Sequence, residues 1–503
     1  FDKDDVEDLG LLKLDVLGIR MQSAMAHAVA EVERVDGVRI DLDDQEQVPY
    51  DDTETFSLIK SARTLGCFQI ESPGQRELIG KFGPETFGDI IIDISLFRPG
   101  PVKSDMVRPF LNARQGWAEP EYLHPSLVPY LEDTGGVVVF HEQVLQLVAE
   151  TTGVTLAQAD EVRRALGTPQ GQAEVESWWR PAAAARGYSP EHVDAIWDVL
   201  AAFASFGFCK AHAAAFAVPT FHSAWLKTHH TAAFLAGVLT HDPGMYPKRL
   251  ILEEARAMGV HVLGLDVNAS GDTYRVERVG PDGQVPDPSG DGVGEQDEAS
   301  GWGGPDWRRP AGRPARAGRG DAVDAAMARI EGRAGGYGIR LSLAEVKGIS
   351  DDEVARIVAG QPYHSLGDLW QRARTSRPVV ERLVLAGAFD ELHGVGTARS
   401  STLRQGPTRR DLLLHVAELD RWSAPTVSRS RSRTRKVAPT LPAAGEVAAR
   451  AGAQAKGHRS WHARQADPTQ LTLDLGDEPV LRSGSGLPEM TPQEQMLAEL
   501  EVL

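Results

Sequence analysis

The chain is poor in cysteine, with only Cys67 and Cys209 among 503 residues. Two thiols exclude a disulfide framework and a four-cysteine zinc site, so the expectation is a pair of buried thiols in a reducing cytoplasm. No run of about 18 apolar residues occurs, so no membrane-spanning helix is expected. Positive charge is also short: 53 Lys+Arg against 71 Asp+Glu leave a net −18. That balance excludes a protein that coats nucleic acid by bulk charge, while local basic sites stay allowed. The start, Phe1-Asp2-Lys3-Asp4-Asp5, lacks the cationic and apolar parts of a signal peptide, and lacks a Met. The last residues, Gln493 to Leu503, follow a helical pattern and stop on apolar side chains. Both ends read as cuts in a longer chain.

A hydrophobic fraction of 42% and a charged fraction of 25% are ordinary for a globular protein. The length gives a prior of about three domains. The acidity is uneven, because residues 1–60 hold sixteen Asp+Glu and six Lys+Arg, a net of −10. Residues 1–270 look continuously folded, with short apolar runs between helical patterns. Val137–Phe140 reads as a buried strand, followed by a helix over Gln143–Ala149 with Val144, Leu145, Leu147 and Val148 inward. Thr155 suits the N-cap of a helix over Leu156–Leu166, with Gly167 as its stop. A long helix is expected through Phe216–Leu239, with Phe221, Trp225 and Leu226 on one face.

Sixteen of the forty residues from Pro281 to Gly320 are Gly or Pro. Thr273–Val276 before that stretch and Gly338–Leu341 after it read as strands, so it looks like a long insertion between neighbouring strands. Residues 341–395 return to helical order, and Ser428–Lys436 carries five positive charges in nine residues. The latter reads as a disordered basic linker.

Five places could carry chemistry. Lys13 and Asp15 share one face of an alternating strand in Gly10–Gly18, as a surface ion pair or as a metal-binding carboxylate beside a cation for an anionic ligand. Arg163 and Arg164 fan about 100° apart around a helix; they can hold phosphate oxygens, or Asp160 can pair with them along an exposed face. Lys210 and His212 lie among small residues in Phe206–Ala217 that allow close approach of a ligand or another backbone. Phe97-Arg98-Pro99-Gly100-Pro101 makes a rigid turn that by itself names no ligand. Lys347-Gly348-Ile349-Ser350 joins two short helical patterns as in a helix-hairpin-helix, whose turn amides can meet a phosphate. The alternative is a helical hairpin packed on its neighbours. His222, His229, His230 and His241 match no zinc spacing, and His141-Glu142 lacks the second His of a zincin, so histidine ligation is set aside.

The order of these blocks is more specific than any one of them. Lys-Leu-Asp-Val-Leu-Gly (13–18), Gly-Cys-Phe-Gln-Ile-Glu-Ser (66–72), Leu-Phe-Arg-Pro-Gly-Pro (96–101), His-Glu-Gln-Val-Leu (141–145), Ala-Asp-Glu-Val-Arg-Arg-Ala-Leu-Gly (159–167), Gly-Phe-Cys-Lys-Ala-His-Ala-Ala-Ala-Phe-Ala (207–217), Trp-Leu-Lys (225–227) and Asp-Val-Asn-Ala-Ser (266–270) follow one another. This succession resembles the C-family bacterial DNA polymerases, relatives of the replicative polymerase III α subunit, over residues 2 to about 395. Leu239–Pro247 and Leu487–Leu503 look more like the damage-inducible, error-prone branch.

The resemblance implies a mixed α/β, predominantly helical chain. Its parts would be the end of a nucleotidyltransferase-type palm at 1–20, helical fingers at 21–270, and a helix-hairpin-helix region at 271–395 with a disordered insertion at 281–335. A helix and basic linker at 396–470 and the start of a C-terminal region at 471–503 would follow. It implies that Asp15 is one of three catalytic, metal-binding carboxylates and that Lys13 lies near the incoming nucleotide. Arg163 and Arg164 would hold the triphosphate; His212 would face the sugar and disfavour ribonucleotides, with Lys210 beside it. The Lys347, Gly348, Ile349 and Ser350 turn would meet duplex DNA. Cys209 stands where the family usually has Asn or Pro and receives no role.

The implied reaction is two-metal phosphoryl transfer with Mg²⁺, from a dNTP to a primer 3′-hydroxyl on a DNA primer-template. The other two carboxylates belong to an Asp-x-Asp strand upstream of the 13–18 block, which the twelve preceding residues do not supply. The chain alone is therefore expected to be inactive. Gln470–Leu475 resembles a sliding-clamp-binding peptide with Asp474 in the aromatic's place, although a plain amphipathic strand fits as well. Accessory translesion proteins and the clamp are the further partners implied. The rival reading is a non-catalytic DNA-binding or scaffold module derived from such a polymerase.

Overall fold

The computed structural model describes residues 9–11, 18–96, 107–203, 209–280, 283–285, 319–395, 406–423, 479–481 and 487–502. Lys13, Asp15, the Phe97–Pro101 turn, the 428–436 basic run and Gln470–Leu475 lie outside them. The palm end expected at 1–20 lies largely outside them too.

The described residues are predominantly helical. In chain order the helices are α1 Ile19–Asp36, α2 Thr53–Lys60, α3 Pro73–Phe82, α4 Phe87–Leu96, α5 Val107–Arg114, α6 Val128–Leu131, α7 His141–Thr152, α8 Leu156–Ala165, α9 Pro169–Ala185, α10 Pro190–Phe203, α11 Lys210–His229, α12 Thr231–His241 and α13 Lys248–Ala257. After strands β1 His261–Leu263 and β2 Arg275–Arg278 come α14 Arg319–Ala334 and β3 Tyr337–Arg340. The remaining helices are α15 Asp351–Gly360, α16 Leu366–Ala373, α17 Arg377–Leu385, α18 Asp390–His393, α19 Arg409–Ser423 and α20 Pro492–Val502.

The chain divides into two compact units, residues 1–345 with 349–358, and residues 346–348 with 359–503. The expected boundary at 270/271 therefore falls inside the first unit. The sheet explains why: β3 pairs in parallel with β1 and antiparallel with β2, so both flanks of the 281–318 stretch join β1 in one order β1-β3-β2. Arg340 fixes the register, its Nε and Nη2 donating to the Glu277 carboxylate at 2.8 and 2.7 Å and its Nη1 to the Gly264 carbonyl at 3.0 Å.

The first unit has two apolar cores. One gathers α1–α4, α11–α14 and the sheet around Met25, Phe56, Phe82, Phe221, Phe234 and Ile339. The other packs α6–α10 around Leu147, Val148, Trp179, Ile196 and Leu200. Helices α1 and α12 cross so closely that a Cβ at Gly237 would come within 2.2 Å of the Ala24 carbonyl oxygen. In the second unit Val380, Leu383, Val384, Phe389, Leu412 and Val416 are buried.

Several local expectations hold. Thr155 caps α8, accepting from the Gln158 amide at 3.3 Å while Gln158 returns the bond to the Thr155 amide at 3.0 Å. Others are corrected. The strand expected over Val137–Phe140 is reduced to a single bridge residue at Phe140, with Val137–Val139 buried; the Gln143 side chain accepts from the Val139 and Phe140 amides at 2.7 and 3.0 Å. The long helix through 216–239 is broken at His230, whose φ of −136° and ψ of 52° leave the helical region. Thr228 and Thr231 on either side each spend a hydroxyl on a carbonyl four residues back, a bond that weakens helix continuity. The 281–335 insertion is not disordered throughout, because 319–334 forms α14 and buries Ala326, Met327, Ile330 and Ala334. Cys67 is buried, and burial pushes its thiol up to about 12, whereas Cys209 is only half-buried.

Candidate nucleotide site

Lys210 and His212 occupy the first turn of α11. Cys209 stands at the N-cap position and its side chain makes no cap. The cap comes instead from Glu142 on the first turn of α7. Both its carboxylate oxygens accept from the Lys210 amide, at 3.0 and 2.9 Å, and the Cys209 thiol donates to it at 3.3 Å. Burial works against ionisation of Glu142, but bonds from the Lys210 amide, its own amide and the Cys209 thiol outweigh it and lower the pKa. The Lys210 ammonium is exposed, 3.8 Å from Asp133 and 5.5 Å from the centroid of the Phe140 ring.

The His212 ring stands edge-on to Phe216, with centroids 4.5 Å apart, and Phe216 stacks on Phe68 at 5.6 Å with planes 9° apart. Phe68 in turn closes on Gly18, the last residue of the 13–18 block. A Cβ there would come within 2.9 Å of the Phe68 ring, and φ is +89°, so glycine is required twice over. The Phe68 amide donates to Ser223 Oγ at 3.0 Å. Farther along α11, the buried Lys227 ammonium donates to the carbonyls of Arg63 and Leu65 at 2.8 Å each and to Glu254 at 2.7 Å. Blocks far apart in the chain thus converge on one helix: Gly18, 66–72, 141–145, 207–217 and 225–227.

The 239–247 segment joins them. Tyr246 donates its hydroxyl to the Glu71 carbonyl at 3.1 Å, and Gly244 packs against the Glu71 carboxylate. Burial raises the Glu71 pKa, only partly offset by the amides of Gly66 and Met245 and the Lys227 charge.

Arg163 and Arg164 close α8. Both pair with Asp160: Arg163 Nη2 reaches Oδ1 at 2.9 Å and Arg164 Nη2 reaches Oδ2 at 2.8 Å. The Arg163 hydrogen bond and then the two positive charges hold the Asp160 carboxyl below its usual range. This is the i+3 and i+4 pairing that the sequence also allowed. It sets two guanidinium groups on opposite oxygens of one carboxylate, and the Arg164 side chain stays 73% exposed. Helix α8 packs on α7, so α7 is the element common to the arginine pair and to the α11 turn.

The two end residues of the Lys347–Ser350 turn are bonded to protein groups. In the second unit, the Lys347 amide donates to the Val502 carbonyl at 3.0 Å and its ammonium to the Glu501 carbonyl at 2.7 Å. Arg382 donates to the Lys347 carbonyl at 2.6 Å and packs where a Cβ on Gly348 would sit. In the first unit, the Ser350 amide and hydroxyl donate to Glu353 at 3.1 and 2.9 Å, and Ile349 is half-buried. Among the described residues no group of three or more His, Cys, Asp or Glu could hold a metal ion, and no helix is long and apolar enough to cross a membrane.

Glu142 was missed as a site residue because its partner lies 68 positions away. Its block was legible, but nothing in the sequence tells a capping carboxylate from a solvated one. Phe68 and Phe216 carried no polar signal at all.

Residues 21–184 match the bacterial DNA polymerase III alpha subunit finger domain, and residues 259–400 match a helix-hairpin-helix motif. An error-prone DNA polymerase of Symbiobacterium thermophilum is 36% identical over 402 residues, covering 78% of this chain and 33% of that protein. An error-prone DNA polymerase of Nocardia farcinica is 32% identical over 457 residues, covering 89% of this chain and 33% of that protein. A DNA polymerase III subunit alpha of Pseudomonas aeruginosa is 38% identical over 291 residues, covering 55% of this chain and 24% of that protein. The chain spans about a third of the length of the error-prone relatives it matches.

Proposed function

We propose, for a chain that is a partial-length relative of the bacterial error-prone DNA polymerases and DNA polymerase III alpha subunits, that it forms the nucleotide-binding fingers and helix-hairpin-helix parts of an error-prone, translesion DNA polymerase. The observation that carries this reading is the match of residues 21–184 to the finger domain, with the blocks that resemble the family gathered on α11.

In this reading Arg163, Arg164, Lys13 and Lys210 neutralise the triphosphate of the incoming dNTP, and His212 faces its sugar. Arg163 and Arg164 would exchange Asp160 for phosphate oxygens. Half-exposed pairs of this kind are worth up to about 1 kcal/mol, so charge-assisted bonds to a triphosphate outweigh those to a single carboxylate. In the complete enzyme the primer 3′-oxygen bonds to the α-phosphorus, the bond to the bridging oxygen breaks, and pyrophosphate leaves. The helix-hairpin-helix region holds the duplex through its backbone. Mg²⁺ would supply charge neutralisation with Asp15 among its ligands. Asp15 lies outside the described residues. The sliding clamp and accessory translesion proteins belong to the complete enzyme.

Primer extension tests the reading. The 503-residue chain with Mg²⁺ is expected to bind primer-template and dNTP without extending the primer. A fusion to the palm and N-terminal parts of an error-prone relative is expected to extend it, and to lose extension on Asp15→Asn. Robust synthesis by the chain alone, or a fusion indifferent to Asp15, contradicts it.

A further inference from the structure

Four helices of the first unit are capped by a neighbour in sequence, Asp52 for α2, Ser72 for α3, Thr155 for α8 and Thr168 for α9, while α1, α7, α12 and α13 have no side-chain cap. Helix α11 is different. Its N-cap residue, Cys209, gives no side-chain cap, and the Lys210 amide takes both oxygens of a carboxylate from another helix. That carboxylate is itself rigidly placed. The next residue, Gln143, accepts from the Val139 and Phe140 amides and donates to the Tyr130 carbonyl at 3.2 Å and to Thr134 Oγ1 at 2.8 Å. Four bonds therefore fix the start of α7 to the extended segment before it. Glu142 also lies in the first turn of α7, so one negative charge serves the amino ends of two helices.

We infer that Glu142 is a positioning residue that sets discrimination between deoxyribose and ribose in the bound nucleotide, by fixing the first turn of α11. The inference rests on the reading above that His212 faces the sugar. The neighbours of His212 in the chain are small: Ala211, Ala213, Ala214 and Ala215. Its backbone belongs to that first turn, and its ring stands edge-on to Phe216. Phe216, one turn on, is held independently by Phe68. Loss of Glu142 frays the turn that carries Lys210 and His212 and leaves the rest of α11 in place. The effect is local: the sugar contact loosens while the fold persists. Lys210 shifts with the same turn, off the Phe140 ring.

The test uses the full chain with Glu142→Gln and Glu142→Ala, and two readouts. Amide hydrogen exchange over residues 210–214 is expected to speed up by roughly fivefold or more in Glu142→Ala, the scale of a lost helix cap. It should speed up less in Glu142→Gln, which keeps one acceptor oxygen. Binding of dATP and ATP with Mg²⁺ is read in parallel, and the preference for dATP is expected to fall by about threefold or more, in the same order of variants. The thermal midpoint should stay close to that of the wild type, and His212→Ala should abolish the dependence of the preference on residue 142. Unchanged exchange at 210–214 overturns the inference, and so does an unchanged dATP preference. A wild-type chain that binds neither nucleotide overturns the polymerase reading with it. A wild-type chain that prefers dATP, with variants that keep that preference, overturns the role of Glu142 alone.

Discussion

Lys210 and Lys227 sit near opposite ends of one helix, each within a block that resembles the family, and they do different work. Lys227 is fully buried, and its three ammonium protons meet two carbonyls and Glu254. Lys210 is half-exposed, its ammonium held only loosely by Asp133. The buried lysine fixes the 63–72 loop that carries Phe68; the exposed one is free to meet an anion. A cation within such a block is therefore not a site by itself. What separates the two is how many acceptors the fold already supplies.

The comparison breaks most sharply at Lys227. Lys227→Met should destabilise the first unit by about 3–5 kcal/mol in urea unfolding, because the half-buried Glu254 and the carbonyls of Arg63 and Leu65 lose their common partner. Lys210→Ala should cost less than about 0.5 kcal/mol. Equal effects at the two positions would end the distinction.

A buried carboxyl with no partner should behave in the opposite sense. Both Asp93 oxygens on α4 are buried without a hydrogen bond, and burial, then the nearby Asp89, raises its pKa well above the usual range. Below the unfolded value near 4 both states are protonated and the group contributes no difference. As pH rises, the unfolded chain ionises freely and the folded chain does not, so Asp93 lowers stability at neutral pH. Asp93→Leu is expected to stabilise the chain by about 1–3 kcal/mol at pH 7, and by less near pH 4. A loss of stability at pH 7 would mean that Asp93 has a partner in the folded state.

Gly18 sharpens the link between the 13–18 block and the aromatic stack. Gly18→Ala should cost about 1–2 kcal/mol from the left-handed backbone, with an added shift in Phe68 ring signals. The smallest effect is expected at Arg164→Ala, under about 0.5 kcal/mol in stability, and the change should show in nucleotide affinity instead.

The sequence made the local features legible. The Thr155 cap, helix α8 and the strands around the glycine-rich insertion follow from patterns within a few residues. It failed where a distant group replaced a local one. Gln143 satisfies the amides of Val139 and Phe140, so the strand-like run is left with a single bridge at Phe140. The run through 216–239 hides a break at His230, because burial of polar and apolar residues alike erases helical periodicity. Burial drives the His230 pKa down to about 3, so a neutral ring sits at that break. Helix α14 was lost in the shadow of the glycine-rich stretch before it. For the candidate site, residue types were legible but connections were not: the Arg163–Arg164 pair announced itself, whereas the Glu142 cap required a fold to bring it 68 positions along the chain.

The most direct test of the account is dNTP binding by the intact chain, measured by titration with Mg²⁺ for the wild type and for Arg163→Ala/Arg164→Ala. The account predicts saturable dNTP binding that weakens at least about tenfold in the double variant, the scale of losing two charge-assisted phosphate contacts, while the thermal midpoint barely moves. Binding that is absent in the wild type, or unchanged without the two arginines, would contradict it.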